Sequence, residues 1–429
     1  MIEQMAYDHT KYFAEECGVR LAGTEAVIKA SDYILDYYKQ HGIKTEIHEF
    51  DVPICKVIES NLKANIGGKW SELGHTPALF SKSTAKGGET FPLVFLEDGS
   101  TAAFEENDVK GKAVLIYRDV YFVYPDISMY KKLKEYGAAA VIYTTGEFHM
   151  DVPYVYANFE TMDEDYTIPT AVIYYQTARE LLKQDVKEIF MNLQFDVAMS
   201  TSRNTIGVIE GALRPEENVI ICGHLDSSMG SVGATDDAAA VAAVMELARY
   251  YQQLADAGKP PARTMRFIAW SGHECGLHGS KYYLLEHRDI FENTKFVLNY
   301  DVIGNDICSY AAIGGCMPEV ESKLNEIMEE QKLKWPVIME PQVVDALNFA
   351  AKEIAQITLF ADVVRGNHTV YDNMDLISVK GFKRPIAFSK AVLDWAAGDV
   401  DIIQGYPSEL TRAMKETSEM YGWGLFGLV

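Results

Sequence analysis

The residues able to do chemistry stand where apolar stretches end. His224 and Asp226 follow "NVIIC", and Asp236 and Asp237 follow the glycine-containing loop "SSMGSVGAT". His273 and Glu274 follow "RFIAWSG", Asp301 closes "FVLNY", and His368 lies in "RGNHTVYDNMD". Two histidines and three carboxylates drawn from these segments would form a donor set suited to borderline divalent cations such as zinc. Two cations sharing a carboxylate would sit about 3.5–4 Å apart. On residue type alone other roles stay open: acids at such places also cap helices, and Asp236 or Asp237 could cap the helix that follows. His273 could carry a proton, bind a cation or pack as a plain ring.

The elements that must position these residues follow from periodicity. "EAVIKASDYILDYYKQH" repeats its apolar residues at helical spacing and stops at Gly42, and "IKTEIHEFDV" then reads as a strand. From residue 203 to 400, near-continuous apolar strands alternate with helices: "NVIICGHLD", "DDAAAVAAVMELARYYQQLADAG", "TMRFIAWSG", "GLHGSKYYLLEHR", "TKFVLNYDVIG" and "PIAFSKAVLDWAAG". That pattern predicts an α/β fold, a mixed, mostly parallel sheet covered on both faces by helices. Such sheets place their sites beside the carboxyl ends of the strands, so the five polar segments are expected to converge. Residues 57–193 change character, with short strands in "TFPLVFLED", "GKAVLIYRD" and "YGAAAVIYTTG", and read as a small, β-rich α/β insert. The expected division is a body of residues 1–56 and 194–400, the insert 57–193, and an aromatic-rich tail 401–429.

Size and charge bound the function. The 429 residues are 48% hydrophobic, enough for a substantial core or two domains. With 39 Lys and Arg against 62 Asp and Glu, the formal charge of -23 argues against a nucleic-acid partner. The start "MIEQMAYDHTKYFAEECG" lacks a basic, apolar leader, and no apolar run reaches the length of a membrane span. The six cysteines are scattered, as expected of free thiols in a reducing compartment, so the expectation is a cytoplasmic protein without a membrane partner. A homo-oligomer is left open.

In this order the motifs resemble peptidase family M28, the co-catalytic di-zinc aminopeptidases. The resemblance runs through "RLAGTEAVIKASDYILDYYKQHGI", "NVIICGHLDS", "GATDDAAAVAAVMELA", "ECGLHGSKYY", "NYDVIG" and "HTVYDNMD", and the insert is similar to a protease-associated domain. It implies two divalent cations, zinc in this family. It would give His224 and Asp301 to one cation, Glu274 and His368 to the other, and Asp236 to both as a bridge. Asp226 would orient His224, and Asp372 and Asp375 match the acids after the last histidine, with Asp375 expected to support the site from behind. Arg365 and Tyr371, flanking His368, are candidates to bind substrate.

One residue departs from that pattern. The family places a glutamate, the general base, immediately before its metal-binding glutamate; here the position holds His273. An imidazole accepts protons near neutral pH but lacks the negative charge of a carboxylate. The resemblance therefore implies hydrolysis of an N-terminal peptide bond or small amide, with His273 as the altered base. Two alternatives stay open here: a di-metal lyase or isomerase acting on a small amino-acid-like substrate, or a non-catalytic relative that binds a peptide or small molecule.

Overall fold

Four apolar strands, Gln356–Ala361, Thr294–Asp301, Arg214–His224 and Arg263–Trp270, lie side by side in that order and run parallel. Their side chains are almost all buried, which requires helices on both faces, and that is why they read as unbroken apolar runs. Antiparallel strands flank the four: Tyr310–Gly315 beside Gln356–Ala361, and the end of Glu188–Ile209 beside Arg263–Trp270. The computed structural model describes residues 2–117, 127–144, 167–307, 309–361, 366–421 and 424–428. Among them, no helix is long and apolar enough to cross a membrane.

The helix Ala239–Asp256 covers the centre of one face, and every side chain from Ala239 to Ala248 is buried. It is apolar on all sides because the sheet lies beneath it and the helices Ile2–Lys11 and Glu25–Gln40 pack against it. Full burial of its Val241, Val244 and Leu247 stabilises the body by about 1.5–3 kcal/mol each. Helix and strand approach so closely that a Cβ on Gly223 would meet Ala240 Cβ and Asp237 Oδ2, each at 2.9 Å. The neighbouring helix Glu25–Gln40 ends as its sequence predicts. Gly42 takes φ +72°, its N–H donates to Lys39 O, and that of Ile43 donates to Tyr38 O.

The chain forms two compact units, Met1–Val52 with Ser200–Val429, and Pro53–Met199. The divisions fall at 52/53 and 199/200, a few residues outside the expected 57–193. Both crossing segments lie within long strands, Lys44–Ile66 and Glu188–Ile209, so no turn residue marks either boundary. The smaller unit has its own sheet. The strands Glu89–Phe95, Ala113–Tyr117, Ala140–Thr144 and Thr170–Ile173 run parallel, with His75–Pro77 antiparallel at the edge. Apolar clusters cover its two faces. The tail is part of the larger unit. The Tyr406 hydroxyl donates to Ile354 O, Met414 is buried, and Leu425 joins the cluster around Trp270 and Tyr283.

Candidate metal centre

Each of the four parallel strands delivers polar groups at its carboxyl end. His224 and Asp301 are the last residues of theirs. His273 and Glu274 follow Trp270 by a short turn, and the segment bearing His368 follows Ala361. Asp236 and Asp237 come from the irregular turn before the helix Ala239–Asp256, where both depart from helical φ and ψ. The five expected ligands thus meet in one buried cluster together with His273, and the donor atoms of these six fall into two groups. His224, His273 and Asp301 offer ligand atoms within 4.8 Å of one another, and so do Asp236, Glu274 and His368.

Asp236 lies between the groups. Its Oδ1 is 3.0 Å from His224 Nε2 and its Oδ2 is 2.9 Å from His368 Nε2. His368 Nε2 is in turn 3.3 Å from Glu274 Oε2. Although buried and this close to a carboxylate, His224 Nε2 meets the geometry of a hydrogen bond with no group among the described residues. Two donor atoms this close are spaced as ligands of one cation would be. Zinc bonds of about 2.0–2.2 Å leave ligand atoms roughly 3–4 Å apart. The donor set therefore fits two divalent cations with Asp236 shared.

Charge supports the same fit. Asp226, Asp236, Asp237, Glu274, Asp301, Asp345 and Asp372 are all buried around three imidazoles. Burial pushes the carboxyls of Asp226, Asp301 and Asp372 up to about 6, and Asp237 well above its ordinary value. Asp236 goes the other way: burial alone would raise it, but His368 and His224 hold it well below the usual range. Burial also disfavours charge on His368, yet Glu274 and Asp236 outweigh it and lift that imidazole to about 9. A cluster so rich in carboxylate is short of positive charge, which bound cations would supply.

Around this centre the turns are held by carboxylates. Asp226 accepts the backbone N–H groups of His273 and Glu274 at 3.2 and 3.1 Å. Its carboxylate is 3.9 Å from His224 Nδ1; the orienting contact to that ring comes from its own main-chain carbonyl, at 2.9 Å. So Asp226 serves chiefly to fix the turn that carries Glu274. Asp237 accepts from the N–H groups of His224 and Val302. Ser228 donates to Glu274. Arg20, fully buried, donates to the carbonyls of Leu225, Val232 and Gly233 and so ties the N-terminal segment to the loop before Asp236.

One expectation is corrected. Asp375 is solvent-exposed at a short turn, its N–H bound to Asn373, and supports nothing in the centre. Asp372 does that work instead, accepting from Thr235 N and Oγ1 at 2.7 Å and from Asp236 N at 3.1 Å. Tyr371 is half exposed, and Arg365 lies outside the described residues. Strain gathers here as well. Leu277, Val302 and His368 adopt φ near +60°, a region that costs non-glycine residues about 1–3 kcal/mol and is typical of functional sites.

His273 sits differently from a packed ring. Its imidazole stacks on that of His224, centroids 3.8 Å apart and planes inclined by 9°. Nε2 is 3.8 Å from Asp301 Oδ2, and Nδ1 is 2.9 Å from Asp345 Oδ2. Burial and His224 both oppose its protonation, but Asp345 and Asp301 prevail and its pKa lies above the ordinary value. Asp345 escaped the sequence reading. It is a lone acid in "PQVVDALNF", without the histidine or glycine neighbours that mark the other segments.

The family model for peptidase family M28 matches residues 204–392, and the PA domain model matches residues 89–181. Aminopeptidase YwaD of Bacillus subtilis (strain 168) is 26% identical over 307 residues, 70% of this chain and 61% of that protein. Carboxypeptidase Q of Homo sapiens is 24% identical over 319 residues, 70% of this chain and 65% of that protein. The chain thus spans a little under two thirds of either relative. The structure of BSAP, a zinc aminopeptidase from Bacillus subtilis, superposes with a TM-score of 0.77 over 93% of this chain and 95% of that one, at 22% identity, a likeness of fold.

Proposed function

We propose that the chain is a peptidase of family M28, whose model matches residues 204–392, and that it hydrolyses the N-terminal peptide bond of a small peptide, or a small amide. The observation that carries this reading is the Asp236 carboxylate, one oxygen on each of two histidines, in a cluster short of positive charge. His224 and Asp301 would hold one zinc ion, Glu274 and His368 the other, with Asp236 shared. Bound there, the two ions would polarise the scissile carbonyl and make a water easier to deprotonate.

The chain's own residues do the rest. Asp236 sets the spacing of the two halves, and Asp372 holds Asp236 through its backbone N–H. Asp226 fixes the turn that presents both His273 and Glu274. His273 takes the proton of the attacking water at Nε2 and returns it to the departing amine. Its backbone position is that of the family's base, and Nε2 faces Asp301 across 3.8 Å. The names of the relatives, an aminopeptidase and a carboxypeptidase, agree on peptide hydrolysis and differ on which end is cut. We assign the amino end on the fold shared with a zinc aminopeptidase.

The test is a panel of aminoacyl anilides, dipeptides and N-acylated amino acids, offered to the zinc-loaded protein with products weighed by mass spectrometry. Hydrolysis adds one water across the cleaved bond, and a chelator abolishes it. His273→Ala should lower kcat by about 10²–10⁴ with zinc content kept. Undiminished turnover in that variant removes His273 from the chemistry; no cleavage across the panel by protein carrying two zinc ions removes the hydrolase reading.

A further inference from the structure

We infer that Asp345 is the positioning residue of His273, holding the imidazole with its proton on Nδ1 and its lone pair on Nε2, turned toward Asp301 and the metal centre. Nδ1 lies 2.9 Å from Asp345 Oδ2, and Asp345 is 1% exposed, so no water competes for the contact. A carboxylate accepts and does not donate, so the ring nitrogen facing it must carry the proton. The other oxygen of Asp345 is fixed too: Oδ1 accepts from Ser280 Oγ, and Ser280 Oγ receives Asn348 Nδ2 at 2.8 Å. Asn348 stands one turn beyond Asp345, and Ser280 lies in the first turn of the helix His278–Glu286 that follows the His273–Glu274 turn. The chain Asn348–Ser280–Asp345–His273 therefore braces the ring from the side away from the centre.

The pairing also accounts for the histidine. A glutamate at position 273 would set two carboxylates side by side in a buried space, which one of them could occupy only by taking up a proton. An imidazole needs an acceptor on its far nitrogen, and Asp345 provides one. His273 and Asp345 thus make sense together and not singly. The effect on turnover rests on the proton-acceptor reading above; the arrangement of the ring does not.

The experiment uses the full chain loaded with two equivalents of zinc and labelled with nitrogen-15 at histidine, the His273 signals being assigned by their loss in His273→Gln. The wild type should show Nδ1 protonated. Asp345→Asn should shift the ring toward the opposite tautomer and lower kcat by about 10²–10⁴, with KM changed little and zinc content kept. Ser280→Ala, a gentler change, should lower kcat by roughly 3–10-fold in the same direction. His273→Glu alone should be poorly active, and Asp345→Asn added to it should restore activity, a coupling that independent sites would not show. An unchanged tautomer in Asp345→Asn overturns the inference, whether kcat is kept or is lost together with zinc and melting temperature. If His273→Gln leaves turnover intact while Asp345→Asn still moves the tautomer, the proton-acceptor reading fails and the positioning stands. The same holds if the zinc-loaded protein shows Nε2 bound to metal with Nδ1 protonated.

Discussion

The two halves of the candidate metal centre are built from different material. One half, His224 with Asp301, sits on the last residues of two hydrogen-bonded parallel strands, so the sheet itself sets the distance between its ligands. The other half, Glu274 with His368, sits on turns, and His368 is held in left-handed backbone. Strand-borne ligands need little help. Of the turn-borne groups, Glu274 is held by Asp226 and Ser228 through hydrogen bonds, and the shared Asp236 by Asp372. The contrast teaches where the centre is rigid by construction and where it depends on a few buried carboxylates.

Breaking the link between the halves should have the largest effect. Asp236→Asn removes the negative charge shared by both cations, and zinc content should fall below one equivalent with turnover down by at least about 10³. Retention of two equivalents, read by plasma emission, would show that the halves hold their ions independently. Next, Asp372→Asn loosens the turn that carries Asp236. It should weaken the second zinc about 10–100-fold while the first still loads, giving two-phase titrations in calorimetry. Single-phase loss of both ions would mean that strand and turn halves do not differ in rigidity.

Acidity offers a smaller, continuous test. Asp226, Asp301 and Asp372 rise from 3.8 when unfolded to about 6 when folded, and His368 rises from 6.5 to about 9. Groups raised on folding contribute stability below their unfolded values and lose it as pH climbs through the folded ones. Asp236, held below its ordinary value, is already ionised above pH 4 and leaves this slope unchanged. The metal-free protein should therefore lose melting temperature steadily from pH 4 to 9, while zinc protects more strongly as pH rises. A gap between the two forms that stays constant across that range in scanning calorimetry would contradict the charge balance described for the cluster. Smallest of all, Asp375→Ala, on the exposed turn, should change kcat/KM by less than about twofold.

Four of the five candidate ligands were legible because each carried a local mark. His224, Asp301 and Glu274 ended apolar runs, Asp236 followed a glycine-containing loop, and a parallel sheet brings such ends together. Asp226 was legible as a partner of His224, but its carboxylate turned to the backbone of residues 273 and 274. Both Asp372 and Asp375 match in "HTVYDNMD", and the expectation fell on Asp375, because spacing along a turn does not tell which acid faces inward. Their burial alone separates them.

Apolar periodicity and the placement of acids and imidazoles at strand ends determined the fold class and, with the family resemblance, the insert and the candidate ligands of this chain, since each is written in neighbouring residues. The tertiary structure alone decided that Asp345, 72 positions from His273, is its partner, and that Asp372 rather than Asp375 holds the bridging residue. Contacts of that kind depend on which side chains the packed elements bring within hydrogen-bond reach after the core has closed, and no local pattern encodes them.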